Sequence, residues 1–143
     1  MKTAILTIIL ALLFLGCEDQ GAVLPRIPKD AVAFDPPAIF KQYWAQVEEC
    51  SGVTGDFSQV KWMYTGSPIA VYSDGLTSYG DAMWDMASNT IVFVQSQYIV
   101  AMADSGLVRH EMLHALLHDP THQAWVKARC FAELAGSTWN GGY

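Results

Sequence analysis

An α+β fold is what this sequence predicts: an N-terminal helix, then a small, mostly antiparallel sheet, then a buried helix and a closing C-terminal helix. Three observations carry that expectation. Phe40, Tyr43, Trp44 and Val47 recur at helical spacing, short β-like segments separated by turn residues fill positions 60–94, and 107–117 is apolar nearly all round, as in a buried helix. The 143 residues leave room for one domain.

The chain opens with Lys2, an apolar run from Ala4 to Leu15, then Gly16-Cys17 and the polar Glu18-Asp19-Gln20. A positive head, an apolar centre and a small residue before the processing point describe a secretory signal over residues 1–16. A membrane-spanning helix needs about 20 apolar residues, more than this run holds. Residues 17–34, with Gly21, Pro25 and Pro28, read as a tether, which assigns 35–143 to the domain.

Within the domain, Asp35-Pro36-Pro37 reads as a helix start with Asp35 as cap, and Ser51-Gly52 as its end, so Cys50 sits on the last turn. Strands are expected at 60–64, 69–72, 82–86 and 90–94. Their separators are Thr65-Gly66-Ser67-Pro68, the stretch 73–80, and Ala87-Ser88-Asn89, which suits a tight hairpin. Trp62, Tyr64, Tyr72 and Trp84 read as sheet-packing aromatics. Asp119-Pro120 breaks the buried helix, and Thr121 caps a closing helix from about His122 to Leu134 that turns Trp125, Cys130 and Phe131 inward.

A formal net charge of −6, with no basic stripe interleaved with aromatics, argues against nucleic acid as a partner. The stretch Leu13-Phe14-Leu15-Gly16-Cys17 resembles the bacterial lipobox, although Phe14 stands where a Leu is usual. That resemblance implies lipid on Cys17 and anchoring in the bacterial cell envelope, with an ordinary cleaved signal as the alternative. Assigning Cys17 to lipid leaves Cys50 and Cys130 as the single possible pair. In an exported chain they form a disulfide, or else remain two buried thiols. A loop this long makes a bridge worth roughly 3–5 kcal/mol in the chain-entropy picture.

The chemistry concentrates in His110-Glu111-Met112-Leu113-His114, an H-E-x-x-H pattern. Residues four apart share a helix face, so two imidazoles reach one cation. Glu111 points about a quarter-turn aside, where it can act as a base without being a ligand. All four histidines lie between 110 and 122, and a buried helix rich in them is costly unless they hold a metal.

The stretch Val108-Arg109-His110-Glu111-Met112-Leu113-His114-Ala115-Leu116 resembles the active-site helix of the zincin metallopeptidases. The resemblance covers this helix and, loosely, the order of strand then helix. It implies Zn2+ ligation by His110 and His114, general-base catalysis by Glu111 on a water at the metal, and an extended peptide substrate lying on an edge strand, here 90–94. Arg109 departs from the pattern, which is usually uncharged at that place.

A third ligand has to come from elsewhere. His118 lies about 12 Å along the helix axis from His110, too far for easy convergence. Pro120 turns the chain so that His122 can fold back, which makes it the leading choice, with Glu133, His118 and Asp119 as rivals. His118 reads as a helix C-terminal residue favoured by the dipole. Tyr79, Tyr98 and Arg109 are candidate oxyanion stabilisers. The expected function is zinc-dependent peptide hydrolysis, and the alternative is a non-catalytic zinc-binding envelope lipoprotein with a scaffolding or binding role.

Overall fold

A computed structural model describes residues 27–73, 76–95, 105–122 and 130, with the side chains of 71–73, 76–78 and 105 outside that description. The expected signal, Cys17, Tyr98, Glu133, the closing helix and the tail lie outside the described residues.

The elements run β1 (Val32–Ala33), α1 (Ile39–Ser51), a single 3-10 turn (Phe57–Gln59), β2 (Lys61–Thr65), β3 (Ile69–Ser73), β4 (Leu76–Gly80), β5 (Ala82–Asp85), β6 (Thr90–Val94) and α2 (Ser105–Leu117). Four strands form one sheet in the order β1-β2-β6-β5, while β3 and β4 form a separate antiparallel hairpin. Three of the four pairings are antiparallel, and β2 runs parallel to β6 with Trp62 opposite Ile91. The α+β architecture is therefore the one the sequence implies.

The alternation of side chains along β6 shows why it lies at the centre. Ile91 and Phe93 are fully buried on one face with Phe40, Trp44, Trp62, Trp84, Val108, Met112 and Leu113. Val92 is fully buried on the other, with Ile69 and Met83. A strand covered on both faces reads as a continuous apolar run, which is what Thr-Ile-Val-Phe-Val provides. Both helices contribute to the first face, so α2 is held between α1 and the sheet.

Three local expectations need correction. Asp35 does not cap α1. The helix begins after Ala38 with no side-chain cap, and Pro37 O accepts from Phe40 N. A residue before proline is driven towards extended backbone, and two prolines in succession carry Asp35 too far ahead of the first helical N–H groups. The stretch 73–80 is not simply a separator, because Leu76–Gly80 is a strand paired with β3. Residues assigned to the tether also join the fold: Val32 and Ala33 pair with β2, and Ile27 and Ala31 pack on the second core face. Asp30 fastens this segment, its carboxylate accepting from Thr65 Oγ1 at 2.8 Å and Gly66 N at 3.1 Å.

The remaining punctuation acts as expected. Gly52 closes α1 in the left-handed conformation (φ 68°), where an added Cβ would be disfavoured. Asn89 (φ 51°) turns the β5–β6 hairpin while Asp85 accepts from Ser88 N. Cys50 and Cys130 form the expected disulfide, with Cα atoms 5.5 Å apart. Among the described residues no helix is long and apolar enough to cross a membrane.

Candidate metal centre

Helix α2 carries His110 and His114 on one face, with ring centroids 5.0 Å apart. What brings the third imidazole to them is the way the helix stops. His118 adopts left-handed backbone (φ 48°), and Asp119 N donates to His114 O across it at 3.3 Å, a Schellman-type ending with histidine where glycine is usual. Asp119 then folds the chain over Pro120, its Oδ1 accepting from Thr121 N at 2.8 Å and Thr121 Oγ1 at 2.7 Å. The Thr121 hydroxyl is thus engaged by Asp119. His122 follows, itself left-handed (φ 63°), a conformation that costs a Cβ-bearing residue about 1–2 kcal/mol.

The result is a cluster. The His122 ring centroid lies 5.1 Å from that of His110 and 4.7 Å from that of His114. His110 Nε2 and His122 Nε2 are 3.4 Å apart, and one ligand atom from each of the three rings lies within 4.8 Å of the others. Nitrogens bound tetrahedrally at about 2.0–2.1 Å sit about 3.3–3.4 Å from one another. One edge already has that length, and no other exceeds it by more than about 1.4 Å, which ring rotation can close. These three histidines can hold a metal ion.

The His114 tautomer follows from its partner. Nδ1 faces the Asp119 backbone oxygen, which can only accept, so Nδ1 carries the proton and Nε2 presents its lone pair. The same turn that ends the helix therefore also orients a ligand. The Trp84 ring lies parallel to His114 (3°, centroids 6.4 Å apart), and Asn89 Oδ1 holds the indole N–H at 2.9 Å.

Burial sets the charge state. It drives the His110 imidazole down to about 3, helped by repulsion from His114 and His122, so the ring is neutral at ordinary pH. His114 is driven by burial to about 4, against the opposing pull of the Asp119 carbonyl. His122 is lowered by burial too, with Asp119 opposing. Glu111 is buried on the same helix, and loss of solvent pushes its carboxyl up to about 8. Without a cation nearby it is uncharged at neutral pH; a positive charge alongside would favour the carboxylate.

Of the residues singled out from the sequence, His110, His114 and His122 converge. His118 is exposed, its ring edge-on to Trp84, and neither it nor Asp119 belongs to the converging set. Asp119 serves instead through its carbonyl and its turn. Arg109 is directed at α1, donating to Gln46 Oε1 at 3.2 Å and lying 6.0 Å from the Tyr43 ring. Tyr79 is 74% exposed on the separate hairpin. The strand 90–94 is not a free edge, because β6 is paired on both sides; the edge strand beside α2 is β5, which carries Trp84. The sequence reading missed Trp84 and the Asp119 carbonyl as positioning groups. A tryptophan in a strand and a backbone oxygen carry no local signature of such a task.

Compared with known proteins, the chain matches no family model, and no curated protein or solved structure matches it either. The geometry of the site carries the functional reading.

Proposed function

We propose that this protein is a zinc-dependent hydrolase acting on peptide bonds, with His110, His114 and His122 as ligands and Glu111 as general base. The convergence of the three imidazoles supports it most directly. Three neutral nitrogen donors are a donor set suited to zinc, and a catalytic site would keep its fourth position for water or substrate. When bound, zinc supplies Lewis acidity, polarising a carbonyl and lowering the pKa of a water to about 7.

The chain's own residues account for the rest. Asp119 keeps His114 in the tautomer that ligates. Trp84 lies parallel to the His114 ring beside the cluster. Glu111, buried and one residue from a ligand, can take a proton at its carboxylate and return it to a leaving amine. β5, the outer strand of the sheet among the described residues, offers backbone groups for an extended peptide. Glu111 favours catalysis over a purely structural site, since structural zinc does not need it. The lipobox-like stretch supports anchoring through Cys17 at the outer side of a bacterial membrane.

Metal analysis of the whole chain, followed by a broad peptide library, tests the proposal. Stoichiometric zinc with cleavage by the parent, and retained zinc without cleavage in Glu111→Gln, is the expected pair of results. Bound zinc with no cleavage by the parent would favour the scaffolding role; absence of any bound divalent cation would end both readings.

A further inference from the structure

His110 and His114 are placed by helix α2 itself, four residues apart on one face. Nothing so regular places His122. Between Leu117, where α2 ends, and His122 the chain reverses, and both His118 (φ 48°) and His122 (φ 63°) take left-handed backbone that residues bearing a Cβ avoid. Such conformations persist only where the surroundings over-determine them. Pro120 has no N–H to give to a backbone ladder. Thr121 directs both its backbone N–H (2.8 Å) and its hydroxyl (2.7 Å) at one atom, Asp119 Oδ1. Asp119 is in turn fixed to the helix, its N–H donating to His114 O at 3.3 Å and its carbonyl oxygen facing His114 Nδ1. A side chain thus closes the reversal, and its own residue is tied through both backbone groups to a ligand.

We infer that Asp119 is a positioning residue for the third ligand: its carboxylate, by closing the turn onto Thr121, sets His122 beside His110 and His114. This rests on the metal-binding reading above and adds to it the group that preorganises the site. Without the carboxylate the backbone of 120–122 gains other conformers. The three-ligand arrangement is then only fractionally populated, and apparent metal affinity falls by that fraction. His114 keeps its tautomer, because the oxygen that holds it is backbone and Asp119 N stays bonded to His114 O. The loss therefore falls on His122.

The carboxylate also carries charge, which acts on the His114 and His122 rings and favours their protonated forms. A negative charge favours a cation in the site whatever the turn does. Two substitutions separate geometry from charge. Asp119→Asn keeps an oxygen at the Oδ1 position and loses the charge. Asp119→Glu keeps the charge but is one methylene too long for the tight turn in which an Asx oxygen meets the N–H two residues on.

Zinc affinity of the whole chain, measured in a metal buffer, tests the inference. Asp119→Ala and Asp119→Glu should each bind about 10- to 100-fold more weakly than the parent. Asp119→Asn should stay within about threefold of it, since the charge is half-exposed and screened. In a His122→Ala background, Asp119→Ala should change affinity by less than about twofold, because the ligand it sets is already gone.

Parent affinity in Asp119→Ala overturns the inference, as does an equal loss in the His122→Ala background. An Asn variant as weak as the Glu variant also overturns it, because the effect would then be one of charge. Should Asp119→Ala fail to fold, the Asn and Glu variants decide by themselves, and a Glu variant at parent affinity is the overturning result. A parent that binds no zinc would instead sink the proposed function, so the two failures are distinguishable.

Discussion

In the metal-free protein, stability should pass through a maximum near pH 6.5 and fall on both sides, and Glu111→Gln should abolish the alkaline fall. The Glu111 carboxyl is held at about 8 in the fold against an ordinary 4.5, so across that window the native state binds more protons than the unfolded chain. Stability from this group is complete below pH 4.5 and is lost as pH rises to about 8. The slope is about 1.4 kcal/mol per pH unit, on the order of 5 kcal/mol in all. The imidazoles have the opposite sign. His110 and His114 are held near 3 and 4 against an ordinary 6.5, so their contribution is complete above 6.5 and is lost as pH falls towards those values.

Between about pH 4.5 and 6.5 the two imidazoles outweigh the carboxyl, and stability rises by about 1.4 kcal/mol per unit. His122, lowered in the same direction, adds to that rise. Above 6.5 only the carboxyl titrates and stability falls by about the same slope. Urea unfolding of the chelated protein from pH 5 to 9 measures both arms. The parent should show the dome, and Glu111→Gln should rise steeply and then stay level. A parent profile that is flat or rising between pH 6.5 and 8, or an alkaline fall that persists in the variant, would refute the reasoning.

Further expectations concern single positions. His122→Ala leaves two of the three converging ligands and should weaken zinc binding by at least about 100-fold, measured by competition with a chromophoric chelator. Met112 is fully buried beneath the site, and Met112→Ala should cost about 2–5 kcal/mol in urea unfolding of the chelated protein. A Cβ on Gly55 would lie 2.6 Å from Leu116 Cδ1 and 3.1 Å from Trp44, so Gly55→Ala should cost about 1–3 kcal/mol by overpacking. A Gly55→Ala protein as stable as the parent would show that Leu116 relaxes without penalty.

Much of the architecture follows from local pattern. The spacing of Phe40, Trp44 and Val47 is the buried stripe of α1, and the apolar surround of 107–117 marks a helix wedged between helix and sheet. Turn chemistry located the β5–β6 hairpin at Asn89. Strand pairing was less accessible. Leu76–Gly80 is interrupted by Thr77 and Ser78, and Val32–Ala33 is too short for periodicity, so neither announces itself until a partner supplies the ladder.

At the site, the four-residue separation of His110 and His114 determined by itself that two imidazoles share a helix face, because that follows from helix geometry alone. The even number of cysteines left after Cys17 determined the only pairing available to Cys50 and Cys130. Tertiary structure decided the rest: that His122 rather than His118 or Asp119 joins the cluster, that the Asp119 carbonyl orients His114, and that β5 rather than β6 is the outer strand among the described residues. Each of these depends on how the chain reverses after a helix end or on which strand lies outermost. Those are distances between residues far apart along the chain or across a turn, and no local period encodes them.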